Sequence, residues 1–121
     1  MSRLKRRALL AAALMCMAAF VVTGISLAAD TVRLKASTTA LKFSTRTLHA
    51  THGRVTIRMS NPSKLRHGIA VEGHGVDRDG RIVSKGGVSS VTATLKKGRY
   101  EFYCPVKGHK AAGMKGTLIV S

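Results

Sequence analysis

The sequence predicts an all-β fold, a sandwich of two antiparallel sheets with seven or eight short strands. Three observations carry that expectation. Beyond residue 30, apolar and polar residues alternate with period two in one segment after another, which turns one face of each segment to a core and the other to water. Clusters of Gly, Pro, Asn and Asp separate these segments and read as turns. No stretch beyond residue 30 carries the apolar period of a long helix.

In chain order, "TVRLKA" sets Val32, Leu34 and Ala36 against Arg33 and Lys35. "LHATHG" follows as a strand-to-turn segment. Its His49 and His52 face opposite sides at that spacing, so no second metal site is expected there. "RVTIRMS" alternates Val55, Ile57 and Met59 with Thr56 and Arg58. The turn "SNPS", built by Asn61-Pro62, leads to His67, which opens a strand-like run through Ile69 and Val71. "EGHG", "DRDG" and "SKGG" read as turns, with His74 exposed. "SSVTATL" places Val91, Ala93 and Leu95 inward, and "KKGR" turns the chain into "RYEFYC". There Tyr100, Phe102 and Cys104 share the inner face, and "GTLIVS" closes the chain as a last strand. Phe43 and Tyr103 read as core and rim.

The first 29 residues read differently. Arg3, Lys5, Arg6 and Arg7 precede an uncharged apolar run from Ala8 to Ala28, with small residues at Ser26, Ala28 and Ala29. That order is a secretory signal. The run also approaches the ~20 residues of a membrane span, so residues 1–29 are a signal peptide or an uncleaved anchor. Arg6-Arg7 matches a twin-arginine signal only loosely, and Cys16 reads as an apolar signal residue. Residues 30–121 form one domain, placed in the periplasm or outside the cell.

That domain holds 17 of the 21 Lys and Arg against five Asp and Glu. Such a balance attracts anionic partners. The cations are scattered along alternating strands and few aromatics are available for stacking bases, which excludes nucleic acid as the expected partner. The N-terminal segment and the basic surface both suit association with a membrane. An acidic redox protein fits the charge, and a monomer is expected.

Cys104 is the lone cysteine after residue 29. In an oxidising compartment a single thiol is buried or employed. "CPVKGHKAAGM" places Cys104, His109 and Met114 five residues apart on a loop after an inward-facing strand. Cys and Met are soft ligands, and Met suits a structural zinc site poorly. His67 supplies a fourth donor from the same pole. Two imidazoles, one thiolate and a long, weak Met contact make a blue, or type 1, copper site.

At this point "LKKGRYEFYCPVKGHKAAGMKGTLIVS" resembles the C-terminal signature of the cupredoxins, the small blue copper proteins of the plastocyanin, azurin and auracyanin kind. The match is dense over residues 95–121 and looser over 55–72. The resemblance implies a Greek-key, cupredoxin-like β-sandwich with copper held by His67, Cys104, His109 and an axial Met114. It also implies that His109 lies at the surface and passes the electron. The expected function is single-electron transfer between redox partners, with no substrate transformed. A copper-delivery protein using the same ligands is the alternative. A β-sandwich with an empty site that binds anionic surfaces is a third reading.

Two departures from the family pattern shape further expectations. Many cupredoxins carry a polar residue after the first His, where this chain has Gly68, so a looser His67 loop is expected. Lys107, Lys110 and Lys115 flank the loop, so the face around His109 is expected to be positive. Backbone N–H groups of Gly68 and Val106 are both expected to reach the Cys104 sulfur, which would raise the reduction potential.

Overall fold

The computed structural model describes residues 19–21, 24 and 29–121. The basic segment, Cys16 and most of the apolar run lie outside the described residues. No helix among the described residues is long and apolar enough to cross a membrane.

Eight strands form in order: β1 (Ala29–Lys35), β2 (Thr47–Ala50), β3 (Gly53–Ser60), β4 (Ala70–Gly73), β5 (Val76–Asp79), β6 (Val88–Leu95), β7 (Gly98–Tyr103) and β8 (Lys115–Val120). One sheet has the order β1-β3-β6, the other β2-β8-β7-β4-β5. The alternation read from the sequence holds in the long strands β3 and β6, while Ile69, Ala70 and Val71 are all buried around the start of β4. In β3, Val55, Ile57 and Met59 are buried while Arg54 and Arg58 are exposed. Two of the six pairings, β1 with β3 and β2 with β8, are parallel, so the sheets are mixed, not purely antiparallel. Register is a long-range property, and local alternation does not specify strand direction.

One predicted turn is a strand. "DRDG" supplies most of β5, which pairs with β4 from Ala70–Asp79 to Gly73–Val76. Three of its four residues are exposed. Charged, short and at the sheet edge, it carries the marks of a strand guarded against further pairing, and those marks resemble turn composition.

Leu34, Val55, Ile57, Met59 and Val91 of the smaller sheet pack against Leu48, Val71, Tyr100, Phe102 and Leu118 of the larger. Phe43 tilts against Phe102 with ring centroids 5.7 Å apart. A Cβ at Gly116 would collide with the Phe102 ring and the Arg46 carbonyl. All eight strands and every buried residue described lie within 29–121, while residues 19–21 and 24 are exposed. The segment 29–121 thus carries both sheets and the core between them. The loops carrying His67 and Cys104–Met114 share one pole. The start of β1 and the C-terminal Ser121 lie at the other, where Ser121 N–H bonds the Ala50 carbonyl at 2.9 Å.

Candidate metal centre

His67 is placed by a buried polar net. Asn61, only 1% exposed, donates from Nδ2 to the carbonyls of Leu65 at 2.8 Å and Val83 at 3.0 Å. Its Oδ1 accepts the Ser63 N–H at 3.0 Å. His67 and Val83 exchange both backbone bonds, at 3.1 and 2.8 Å. The next strand starts equally fixed: the Ile69 N–H bonds Ser89 Oγ, which donates to the Arg81 carbonyl at 2.6 Å. The expected looseness of the His67 loop is thus not found. Asn61 and Ser89 tie the segment where a polar side chain at position 68 is missing. Ser89 had a signal in the sequence, a polar residue on the inward parity of β6.

Gly68 brings the two ligand segments together by its smallness. A Cβ there would stand 3.2 Å from Pro105 Cγ. Its N–H reaches Cys104 Sγ at 3.5 Å. The second donor expected from Val106 is not among the described hydrogen bonds; the Val106 carbonyl instead accepts the His109 N–H at 3.0 Å.

Cys104 ends the inward face of β7 and is fully buried. The loop after it is pinned at its ends, with Cys104 N–H donating to the Met114 carbonyl and Met114 N–H to the His109 carbonyl, both at 3.0 Å. Gly108 (φ 84°) and Gly113 (φ 105°) adopt the left-handed region just before His109 and Met114, where a side chain would be strained. Met114 is fully buried between the two ligand residues it bonds.

The three strong donors converge. His67 Nδ1 lies 3.2 Å from His109 Nδ1. Cys104 Sγ lies 3.8 Å from the former and 3.5 Å from the latter. The circumcentre of that triangle is about 2.0 Å from each atom, the length of a bond from a metal ion to imidazole nitrogen. Three potential ligand atoms thus lie close enough together to hold one cation. His67 Nε2 is buried without a partner, leaving Nδ1 as the ring nitrogen with polar neighbours. Burial, and next the His109 charge, hold the His67 pKa below the usual imidazole range, which favours the neutral ring a metal needs. Thiolate with two imidazoles and a thioether is a soft, mixed set that suits copper.

These three residues are the one such metal-capable group among the described residues. His49 is exposed on β2, His52 turns its Nδ1 to the Ser121 carbonyl at 2.9 Å, and His74 packs tilted against Tyr100 with ring centroids 5.0 Å apart.

Of the three lysines expected around His109, Lys110 folds away. Its Nζ sits 2.6 Å from Glu72 and 2.7 Å from Glu101, and 4.1 Å over the Tyr103 ring. Hydrogen bonding to Glu101 and then Glu72 raises the Lys110 pKa. Lys107 and Lys115 remain exposed. The positive face is therefore smaller than the sequence suggests. Burial, then the charge of Asp79, pushes Tyr103 up to about 12.

Comparison with known proteins follows the same line. Residues 8–120 match the cupredoxin-like domain family. No curated protein matches the chain. Among solved structures, auracyanin B is 24% identical with a TM-score of 0.68, over 79% of this chain and 91% of that one. Auracyanin A, described as a "blue" copper protein from the green thermophilic photosynthetic bacterium Chloroflexus aurantiacus, is 20% identical with a TM-score of 0.66, over 78% and 100%. A reduced amicyanin variant is 18% identical with a TM-score of 0.57, over 75% and 82%. At these identities the structures establish the architecture. The family match, over most of the chain, goes further: this protein belongs to the cupredoxin-like domain family, with His67, Cys104, His109 and Met114 arranged as a type 1 copper site.

Proposed function

We propose that the protein is an exported single-electron carrier that holds one copper ion through His67, Cys104, His109 and, axially, Met114. The observation that carries this reading is the convergence of two imidazole nitrogens and one sulfur on a point about 2.0 Å from each, at a pole fixed from both sides. Copper bound there supplies a reversible Cu(I)/Cu(II) couple. The protein's part is to keep the donors from moving when the charge changes. His67 and Cys104 are fully buried on segments anchored by backbone bonds, so water is kept out and rearrangement is small. The Gly68 N–H draws charge from the Cys104 sulfur and favours the reduced state.

His109 is the ligand nearest solvent, half-buried at the pole, and offers a partner the shortest route. Exposed Lys64, Arg66 and Lys107 lie at that pole, which fits an acidic redox partner. Complete burial of Cys104 favours carriage over delivery, because handing the ion on would require opening the pole. Export rests on the basic, apolar, small order of residues 1–29, with the periplasm or cell exterior as destination. In this reading no substrate is transformed.

Addition of Cu(II) to the metal-free protein should give an intense visible band from sulfur-to-copper charge transfer and a reversible wave at an electrode. Cys104→Ser should abolish the band. A band that survives this change, or a preference for Cu(I) with ready release and little colour, would replace the proposal, the latter with copper delivery.

A further inference from the structure

The charges of this protein are sorted between its two sheets. Glu72, Asp77, Asp79 and Glu101 all lie on β4, β5 and β7 of the larger sheet. The fifth acid, Asp30, lies on β1 of the smaller sheet but on the inward parity, opposite Val55, and accepts the Thr51 N–H at 2.8 Å. The outer face of β1-β3-β6 carries Arg33, Lys35, Arg54 and Arg58, all exposed. None of these four is ion-paired among the described residues, where both ion pairs belong to Lys110.

Their placement makes the absence of counter-charge costly. Arg33 and Arg58 are register partners on adjacent strands, and like charges at opposed positions repel. Both line one depression of about 250 Å³ with Leu34, Ser60 and Val88. The remaining outward positions are mostly Thr and Ser: Thr31, Thr56 and Thr92 lie in one row across the sheet. Such a face is hydroxylated and cationic. It has no aromatic residue, and the one large apolar side chain at its edge is Val88. Specific protein interfaces combine Arg with buried aromatic or apolar anchors, and this face offers Arg without the latter. A sheet of phosphates needs none: guanidinium groups bind phosphate oxygens in pairs, and each cation near an anionic leaflet adds to adsorption.

Chain continuity points the same way. β1 is the edge strand of this sheet, and it begins at Ala29 directly after the apolar run of residues 8–28. Whatever bilayer receives that run is within reach of this face.

We infer that the outer face of β1-β3-β6 docks on the anionic headgroups of a phospholipid bilayer. The domain then lies on its side, with the β-strands along the membrane and the pole bearing His109 directed laterally. Search for a membrane-bound partner becomes two-dimensional. The inference does not depend on copper.

The test uses residues 29–121 and sedimentation with vesicles of phosphatidylcholine, alone or with phosphatidylglycerol. The wild-type segment should bind only the anionic vesicles. Arg33→Gln/Arg54→Gln/Arg58→Gln should weaken that binding roughly hundredfold. The same charge change on the other sheet, Arg78→Gln/Arg99→Gln/Lys115→Gln, should leave most of it. All six residues are exposed, so folding is not at stake, and the far-ultraviolet spectrum checks it. Equal weakening by both triples would overturn the inference, since net charge alone would then explain adsorption. So would equal binding to neutral vesicles, or release by millimolar inorganic phosphate at constant ionic strength, which would mark a phosphate site. Capture by an immobilised acidic polypeptide that needs the face, without vesicle binding, would assign it to an acidic protein instead.

Discussion

The two segments that meet at the candidate copper site are held by opposite means. The His67 arm is anchored by neutral hydrogen bonds inside the protein, through Asn61, Ser89 and the paired backbones of His67 and Val83. The Cys104–Met114 loop has its closing backbone bonds and, outside them, the Lys110 cluster, whose members are each more than a third exposed. Burial makes an unmade hydrogen bond expensive. Ion pairs open to solvent are weak and screened by salt. The His67 side is therefore part of the fold's own stability, and the loop takes more of its order from the ion it binds.

The largest expected effect is Asn61→Ala. It removes three hydrogen bonds made by a buried amide, so the Leu65 carbonyl and the Ser63 N–H lose this partner while the Val83 carbonyl keeps the His67 N–H. Chemical denaturation of the metal-free protein should show a loss of about 3 kcal/mol, from roughly 1 kcal/mol per bond. A loss below about 1 kcal/mol would mean that the arm is not held from within.

Copper itself should have a comparable but differently placed effect. At a hundredfold excess over its dissociation constant it adds about 2.7 kcal/mol of stability. Amide exchange should place that gain unevenly. In the metal-free protein Ala112 and Gly113, bonded to the carbonyls of Gly108 and Lys110 within the loop, should exchange faster than His67 and Val83. Copper should slow the loop more than the arm. Equal protection of both segments without metal would erase the distinction.

The contrast also explains what the sequence disclosed. The donors were legible because the Cys104–Met114 spacing is local and Tyr100, Phe102 and Cys104 keep strict parity on β7. The strands were legible for the same reason, and β5 was missed because an edge strand of Asp and Arg looks like a turn. The supports were not legible. Asn61 reads as half of an Asn-Pro turn until Val83, 22 residues on, arrives beside it. Lys110 reads as a free surface charge until β4 and β7 bring Glu72 and Glu101 to it. Local chemistry announces itself in spacing, whereas its second layer is assembled by register.

Lys110→Gln should act on the loop alone. Copper should dissociate a few-fold faster, with the thermal midpoint of the metal-free protein little changed, and Lys110→Arg should restore the wild-type rate. High salt should reproduce the defect in the wild type, because screening weakens the cluster, and should leave the Asn61 net intact. If Lys110→Gln lowered stability as much as Asn61→Ala, the exposed cluster would be a structural pillar and the proposed division of labour would be wrong.

The smallest and finest test is Gly68→Ala, which acts where the two segments touch. The added methyl would meet the Arg81 carbonyl at 3.1 Å and Pro105 Cγ at 3.2 Å, so neighbours must yield by a few tenths of an ångström. The cost to folding should stay below about 1 kcal/mol, as for a mild overpacking. The consequence for the sulfur should be larger in proportion. The Gly68 N–H stands 3.5 Å from Cys104 Sγ, and a retreat of this segment lengthens and weakens that bond. The sulfur then keeps more of its charge, the oxidised state gains, and the reduction potential falls. A variant whose potential drops while its unfolding midpoint scarcely moves would show that Gly68 tunes the site without supporting it. A variant that unfolds as readily as Asn61→Ala would show the reverse, that the Gly68–Pro105 contact is the principal tie between the segments.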